Sequence, residues 1–248
     1  MIKEVYMKKK TFRPCKIILL TFFVCTLFSF FAQADEIKPV SLLQDMPDFT
    51  LPVYQGGELS ISQLKGKNVL IVFPRGLASN DHWCHVCNYH YADLVELEKT
   101  KQIREKLDLE ILVVLPYSQA TVKEWVGAFQ DQFIDIDNWK NPAEPEKLDE
   151  KQKQRVERIR RLFPHKYMYE KGKVPTPFPI LVDGERTVSK GLGIFSTDWS
   201  GSKIEQNIPT VFILDKKGTV QFKYISQNTF DRPGAEYLMK FIGRLNKE

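Results

Sequence analysis

The sequence predicts an α/β fold: a central mixed β-sheet flanked by helices, with a helical insertion. Three observations carry this. Apolar runs of strand length, bounded by turn residues, recur at Asn68-Val-Leu-Ile-Val-Phe73, Leu109 to Leu115 and Asn207 to Asp215. Stretches with apolar residues at helical spacing lie between them, and a charge-dense stretch over about 135–175 interrupts the rhythm. Such alternation buries one face of each helix against a sheet.

The chain opens with a targeting pattern. Lys8, Lys9, Lys10, Arg13 and Lys16 precede an uncharged run of 15 residues, Ile17 to Phe31, and Ala32-Gln33-Ala34 has the small-x-small form of a cleavage site. A membrane span needs about 20 apolar residues, so residues 1–34 read as a cleaved signal peptide, with Met7 an alternative start. The expectation is an extracytoplasmic protein, periplasmic in a Gram-negative source, with no stable membrane insertion after cleavage. Cys25 lacks the small residues that a lipid-attachment site needs. Residues 1–34 hold six of the 36 Lys and Arg and one of the 31 Asp and Glu, so the remainder carries 30 of each. A neutral body gives no electrostatic reason to bind nucleic acid or an anionic membrane.

Residues 35–248 then read as one domain. Met46 to Val53 is a short extended segment broken by prolines; Gly56-Gly57 is a turn; Glu58 to Gln63 alternates like a strand. Asn68 to Phe73 suits a buried central strand. Helical spacing runs from Cys87 to about Leu107, a strand follows at Leu109 to Leu115, and an amphipathic helix at Thr121 to Phe133. In the insertion, Leu148, Val156, Ile159, Leu162 and Phe163 line one side of a charged helix, the pattern of a solvated helix held by a narrow apolar stripe. A partner-binding insertion is the other reading. Pro177 to Asp183 is a strand, a helix runs into Gly191 to Ile194, and Lys216-Lys217-Gly218 joins two hairpin strands. Glu236 to Leu245 closes as a helix with Leu238, Phe241, Ile242 and Leu245 on one face.

The chemistry concentrates at Trp83-Cys84-His85-Val86-Cys87. With the signal removed, Cys84 and Cys87 are the only cysteines. A C-x-x-C between a strand and a helix places its first sulfur at the helix N-terminus, where unpaired N–H groups and the dipole favour an anion. Cys84 is the expected attacking thiolate and Cys87, one turn on, the resolving thiol. A permanent disulfide is the alternative, but so short a loop removes little unfolded-chain entropy. Trp83 would stand as a flat wall beside the sulfurs. A protonated His85 would tune the couple, and Asp81 offers a proton acceptor. Asn88 stands where a haem-attachment motif requires histidine, so covalent haem is excluded. No cofactor beyond the cysteine pair is needed.

Pro47-Asp-Phe-Thr-Leu-Pro52, the Gly-Gly turn and the strand to Phe73 resemble the opening of the redoxin group. That group joins peroxiredoxins of the alkyl hydroperoxide reductase/thiol-specific antioxidant kind with secreted thioredoxin-like reductases. Phe178 to Asp183 and Pro209 to Asp215 continue the resemblance, which spans roughly 45–130 and 176–245. It implies a thioredoxin-like fold, and implies a cis-proline at Pro209 which, with Thr210, presents backbone to the substrate opposite the C-x-x-C. Partners would be protein or small-molecule thiols and disulfides, with a separate, unidentified redox partner. The peroxidase branch places Pro-x-x-x-Thr/Ser-x-x-Cys around its thiol; here Leu77 and Asp81 occupy those slots. That branch also places an arginine where Pro209 stands, leaving Arg75 or Arg186 to substitute only by unusual geometry. The favoured expectation is therefore a thiol-disulfide oxidoreductase, with a thiol peroxidase as alternative. A copper-binding thioredoxin-like chaperone is the third, since His82, His85 and His90 flank thiols that suit soft metals; its usual C-x-x-x-C is not present. Nine residues, Pro74 to His82, separate strand from Trp83, more than such reductases use.

Overall fold

The computed structural model describes residues 37–247. The expected signal at 1–34, with Cys15 and Cys25, lies outside the described residues. A hairpin of β1 (Thr50–Pro52) and β2 (Glu58–Ser60) leads into β3 (Asn68–Phe73). A small hairpin, β4 (Leu77–Ser79) and β5 (His82–Trp83), precedes α1 (His85–Lys101) and α2 (Ile103–Leu107). Then follow β6 (Leu109–Leu115), α3 (Gln119–Gly127), α4 (Phe129–Lys140) and α5 (Glu150–Leu162). The chain continues through β7 (Ile180–Val182), α6 (Thr187–Gly191), and the short pair β8 (Phe195–Ser196) and β9 (Gln206–Asn207). It ends with β10 (Thr210–Leu214), β11 (Val220–Ile225) and α7 (Ala235–Leu245).

The central sheet has the order β11-β10-β3-β6-β7. β3, β6 and β7 are parallel, while β10 runs antiparallel to both β3 and β11, which makes the sheet mixed. Side chains alternate across it as the pleat requires. Leu70, Ile111, Val113 and Ile213 face one side, where α1, α3, α4 and α7 bring Leu94, Val122, Trp125, Phe129 and Leu238. Val69, Ile71, Leu112 and Phe212 face the other, closed by Met46, Phe49 and Leu51 and by Val188 and Leu192 at α6. Helices thus cover both faces, but unequally: the second has only α6 and the chain's extended lead-in.

Three elements differ from the sequence reading. The helix expected over 87–107 starts earlier, because Cys84 itself is the N-cap residue, and breaks at Gln102, which takes φ 51. The helix expected over 121–133 is two, meeting at Ala128; the second runs on to Lys140, past the expected insertion boundary, because Gln132, Phe133 and Ile136 continue its buried stripe. The strand expected over 58–63 stops at Ser60, whose side chain forms a capping box with Gln63 and opens a 3₁₀ turn, Ile61–Leu64.

The insertion is anchored by aromatic packing. At α5, Asp149 Oδ1 accepts from the Gln152 N–H and Gln152 Oε1 from the Asp149 N–H, each at 2.8 Å, a reciprocal cap that fixes where the helix begins. The helix buries none of its residues fully. Ile159 and Leu162 pack partly against the core, which matches the narrow stripe read from the sequence. Phe163, just past its end, is buried edge-on against Tyr89 of α1, ring centroids 5.0 Å apart. Tyr89 also contacts Tyr167, and Phe133 links Tyr167 and Tyr169 to Phe129. Phe163→Ala should lower the unfolding free energy by about 3 kcal/mol, measured by urea denaturation, since it empties a buried ring site.

Candidate active site

The two sulfurs are set by how the chain leaves β3 and enters α1. After Phe73 the chain turns through buried Pro74 and Arg75. Gly76 then takes φ +78 with its α-carbon against the Tyr117 ring; a Cβ there would lie 2.3 Å from a ring carbon. Only glycine fits that approach. The Gly76 carbonyl accepts from the Cys84 N–H at 2.9 Å, and the Tyr117 hydroxyl accepts from the Leu77 N–H at 2.9 Å. The unusually long connection is therefore the ordered hairpin β4–β5, clamped across its base. Cys84 begins α1, and its carbonyl accepts from the Cys87 and Asn88 N–H groups at 3.0 and 3.2 Å.

Both cysteines are free thiols and buried, 3 % and 5 % exposed. The Cys87 thiol donates to Cys84 Sγ at 2.9 Å, and the Arg75 N–H donates to Cys87 Sγ at 3.2 Å. Above them lies Arg232, from the loop between β11 and α7. One of its terminal nitrogens sits 3.6 Å from Cys87 Sγ and 3.8 Å from Cys84 Sγ. Its other terminal nitrogen donates to the Thr229 carbonyl. The environments drive the two thiols apart. Burial acts to raise Cys84, but the hydrogen bond from Cys87 and the charges of Arg232 and Arg75 outweigh it and bring the thiol down to about 6. Burial and the neighbouring Cys84 sulfur push Cys87 well above the ordinary thiol range. At neutral pH the arrangement is a Cys84 thiolate accepting a proton bond from a Cys87 thiol.

Arg232 carries no signal in the sequence. It lies 145 residues from Cys87 in a loop without a motif. Arg75, expected to serve only by unusual geometry, is buried beside the pair; its Nε donates to Gln206 Oε1 at 2.6 Å and a terminal nitrogen to the Trp199 carbonyl at 3.3 Å. Arg186 is engaged elsewhere, paired with Glu205.

Other expectations are corrected by placement. The bond before Pro209 is trans, for no cis peptide occurs among the described residues. Pro209 and Thr210 border a cavity of about 40 Å³ behind Cys87, but their backbone is already engaged. The Pro209 carbonyl accepts from Ser226 N–H at 2.9 Å, and Thr210 is held between Phe73 and Ile225 in the sheet. Asp81 is exposed at the β4–β5 tip and, among the described residues, bonds to neither sulfur. His85 is engaged by Asp135 and, among the described residues, bonds to neither sulfur. Its ring is packed by His82 and Trp139, centroids 4.6 and 4.4 Å away, with Nε2 at 3.1 Å from Asp135, and burial lowers its pKa. His90 borders the cavity behind Cys87 instead. The three histidines are thus divided between two cavities, and no group of three potential metal ligands occurs among the described residues. Trp83 does line the space at Cys84, edge-on to Tyr117 at 5.8 Å.

The chain belongs to the AhpC/TSA family, whose model matches residues 42–223. That match ends before Arg232. Comparison with curated protein sequences gives no match. Solved structures of similar fold include a mutant of peroxiredoxin 6 of Arenicola marina, with 14 % identity, TM-score 0.53, and coverage of 84 % of this chain and 74 % of that one. AhpC of Mycobacterium bovis has 15 % identity and TM-score 0.51, over 84 % and 98 % of the two chains. The 2-Cys peroxiredoxin of Plasmodium vivax has 16 % identity and TM-score 0.50, over 84 % and 83 %. At these identities the likeness establishes the thioredoxin-like fold of the redoxin group.

Arg232→Met should raise the Cys84 thiol by about 1 to 2 pH units, read as a shifted pH dependence of iodoacetamide alkylation. Gly76→Ala should cost at least about 2 kcal/mol of stability, since the added carbon meets the Tyr117 ring and the residue must still hold a left-handed φ; urea denaturation measures it.

Proposed function

We propose that this AhpC/TSA member is an extracytoplasmic thiol-disulfide oxidoreductase in which Cys84 and Cys87 cycle between dithiol and disulfide. The observation that carries this reading is the 2.9 Å approach of two sulfurs with opposed proton affinities beneath one guanidinium. The Cys84 thiolate attacks one sulfur of a substrate disulfide, its S–S bond breaks, and the first thiolate leaves. Cys87 then loses its proton and attacks Cys84 Sγ, the mixed disulfide breaks, and the second thiolate leaves. One substrate disulfide becomes two thiols and the pair becomes a disulfide, which a separate dithiol reductant must reopen. With the partner sulfur already in reach, the second step is intramolecular and strongly favoured over bimolecular competition. The extracytoplasmic placement rests on the signal pattern of residues 1–34.

A second reading, thiol peroxidase, is favoured by one observation: Arg232 and Arg75 supply the cations whose absence counted against it. There the Cys84 thiolate would attack a peroxide oxygen, the O–O bond would break, and the departing hydroxide or alkoxide would take a proton from solvent; the Cys87 sulfur would then displace the sulfenic hydroxyl to form the disulfide and release water. The hydroxyl expected near such a thiol is still replaced by Asp81, which keeps this reading second.

Cys87→Ser, incubated with an oxidised small thiol, should accumulate a mixed disulfide on Cys84 visible by mass spectrometry, and Cys84→Ser should not. Turnover of hydrogen peroxide faster than of disulfides would instead place the peroxidase reading first.

A further inference from the structure

The insertion forms a wall of the reaction chamber. Ile159 and Leu162 at α5 and Phe230 of the β11–α7 loop line, together with Cys84, a cavity of about 320 Å³. That volume falls in the range that takes a small molecule. Cys84, a residue only 3 % exposed, cannot meet a disulfide held on the surface of a folded protein without the wall moving.

The charge of the lining is one-sided. Arg75, Arg155 and Arg158 contribute to it, and no aspartate or glutamate does. Arg75 is buried, and its side-chain hydrogen bonds go to neutral oxygens alone. Arg155 and Arg158 are exposed on α5, and the Arg158 guanidinium lies 5.2 Å over the Phe230 ring. Two acidic side chains next to lining residues have polar partners of their own. Asp135 holds His85, and the Asp231 carboxylate accepts from the Gln227 and Asn228 N–H groups next to Arg232. Between the arginines the surface is aromatic, with Trp83, Trp139, Phe163 and Phe230. Cations spread over an aromatic, recessed wall complement an anion carried on an apolar body.

We propose that the substrate reduced at Cys84 is a small organic disulfide bearing carboxylates beside an apolar or aromatic body, its S–S bond at Cys84 and a carboxylate toward Arg155 and Arg158. This rests on the dithiol reading above and names its substrate class. The bond changes are those already given: the substrate S–S bond is reduced, the Cys84–Cys87 bond forms, and two anionic thiols leave.

Reduced protein is mixed in single-turnover stopped flow with dithiobis(nitrobenzoate), an aromatic disulfide with two carboxylates, and separately with neutral dithiodipyridine. The ratio of the two rate constants cancels effects common to both probes, including any change in the thiol itself. The native protein should favour the anionic probe, and the ratio should fall as salt rises. The double variant Arg155→Gln, Arg158→Gln should lower the ratio about tenfold, and Lys at both positions should restore most of it. A ratio that moves with neither salt nor charge removal overturns the proposal. Failure of the dithiol reading shows differently: Cys84→Ser would then react with both probes as fast as the native protein.

Discussion

A single guanidinium laid across two buried sulfurs is the interaction on which the site depends. Without Arg232, the Cys84 thiol, 2.9 Å from Cys87 Sγ, would keep the Cys87 hydrogen bond and the Arg75 charge but would resist less well the burial that disfavours either thiolate. With it, one negative charge is stabilised and a second is not, so the pair divides into nucleophile and proton donor. Cys84 takes the charge because it also receives the Cys87 thiol bond and caps α1; Cys87 keeps its proton because it is buried and the charge already stands beside it. The division of labour in a dithiol reaction is therefore built into the resting geometry.

The rest of the fold holds that geometry still. The β3–α1 connection is rigid because Gly76 lies flat against Tyr117 and the β4–β5 hairpin closes over its base. Arg75 is fixed by Gln206 at one end and lends its N–H to Cys87 at the other. Arg232 is tied to its own loop through Thr229. The insertion, stapled to α1 through Phe163 and Tyr89, adds a wall to the cavity that Cys84 lines beyond the end of the central strand β3. Reactivity is set by the two arginines nearest the sulfurs, and access by α5.

The periodic parts of this architecture were legible in the residues. β3, β6 and β10 announce themselves as apolar runs, and the α7 stripe of Leu238, Ile242 and Leu245 is regular enough to read. The cysteines were legible because a C-x-x-C is a local pattern. Tertiary facts were not. Arg232 leaves no local trace, since its partners are 145 and 148 residues away, and nothing in Asp231-Arg232-Pro233 marks a buried cation. The surroundings of His85 are tertiary in the same way: adjacency to cysteine in sequence suggests adjacency of charge, whereas the helix turns its ring toward Asp135 and Trp139. The cis-proline expectation came by resemblance, and the trans bond with an occupied Pro209 carbonyl shows that resemblance fixes the position of a residue better than its conformation. The α5 stripe was read correctly as packing, but which cavity it walls off depends on a loop some 70 residues downstream.

The central claim is that one thiol, and only one, ionises well below the ordinary range. Thiolate absorbance near 240 nm of the reduced protein, followed from acid to alkaline pH, measures this directly. The account predicts one step centred at about 6, with the amplitude of a single thiolate, lost in Cys84→Ser and retained in Cys87→Ala with a higher midpoint because the proton bond is gone. A native protein whose first thiolate appears only above pH 8, or whose low step survives in Cys84→Ser, would contradict it.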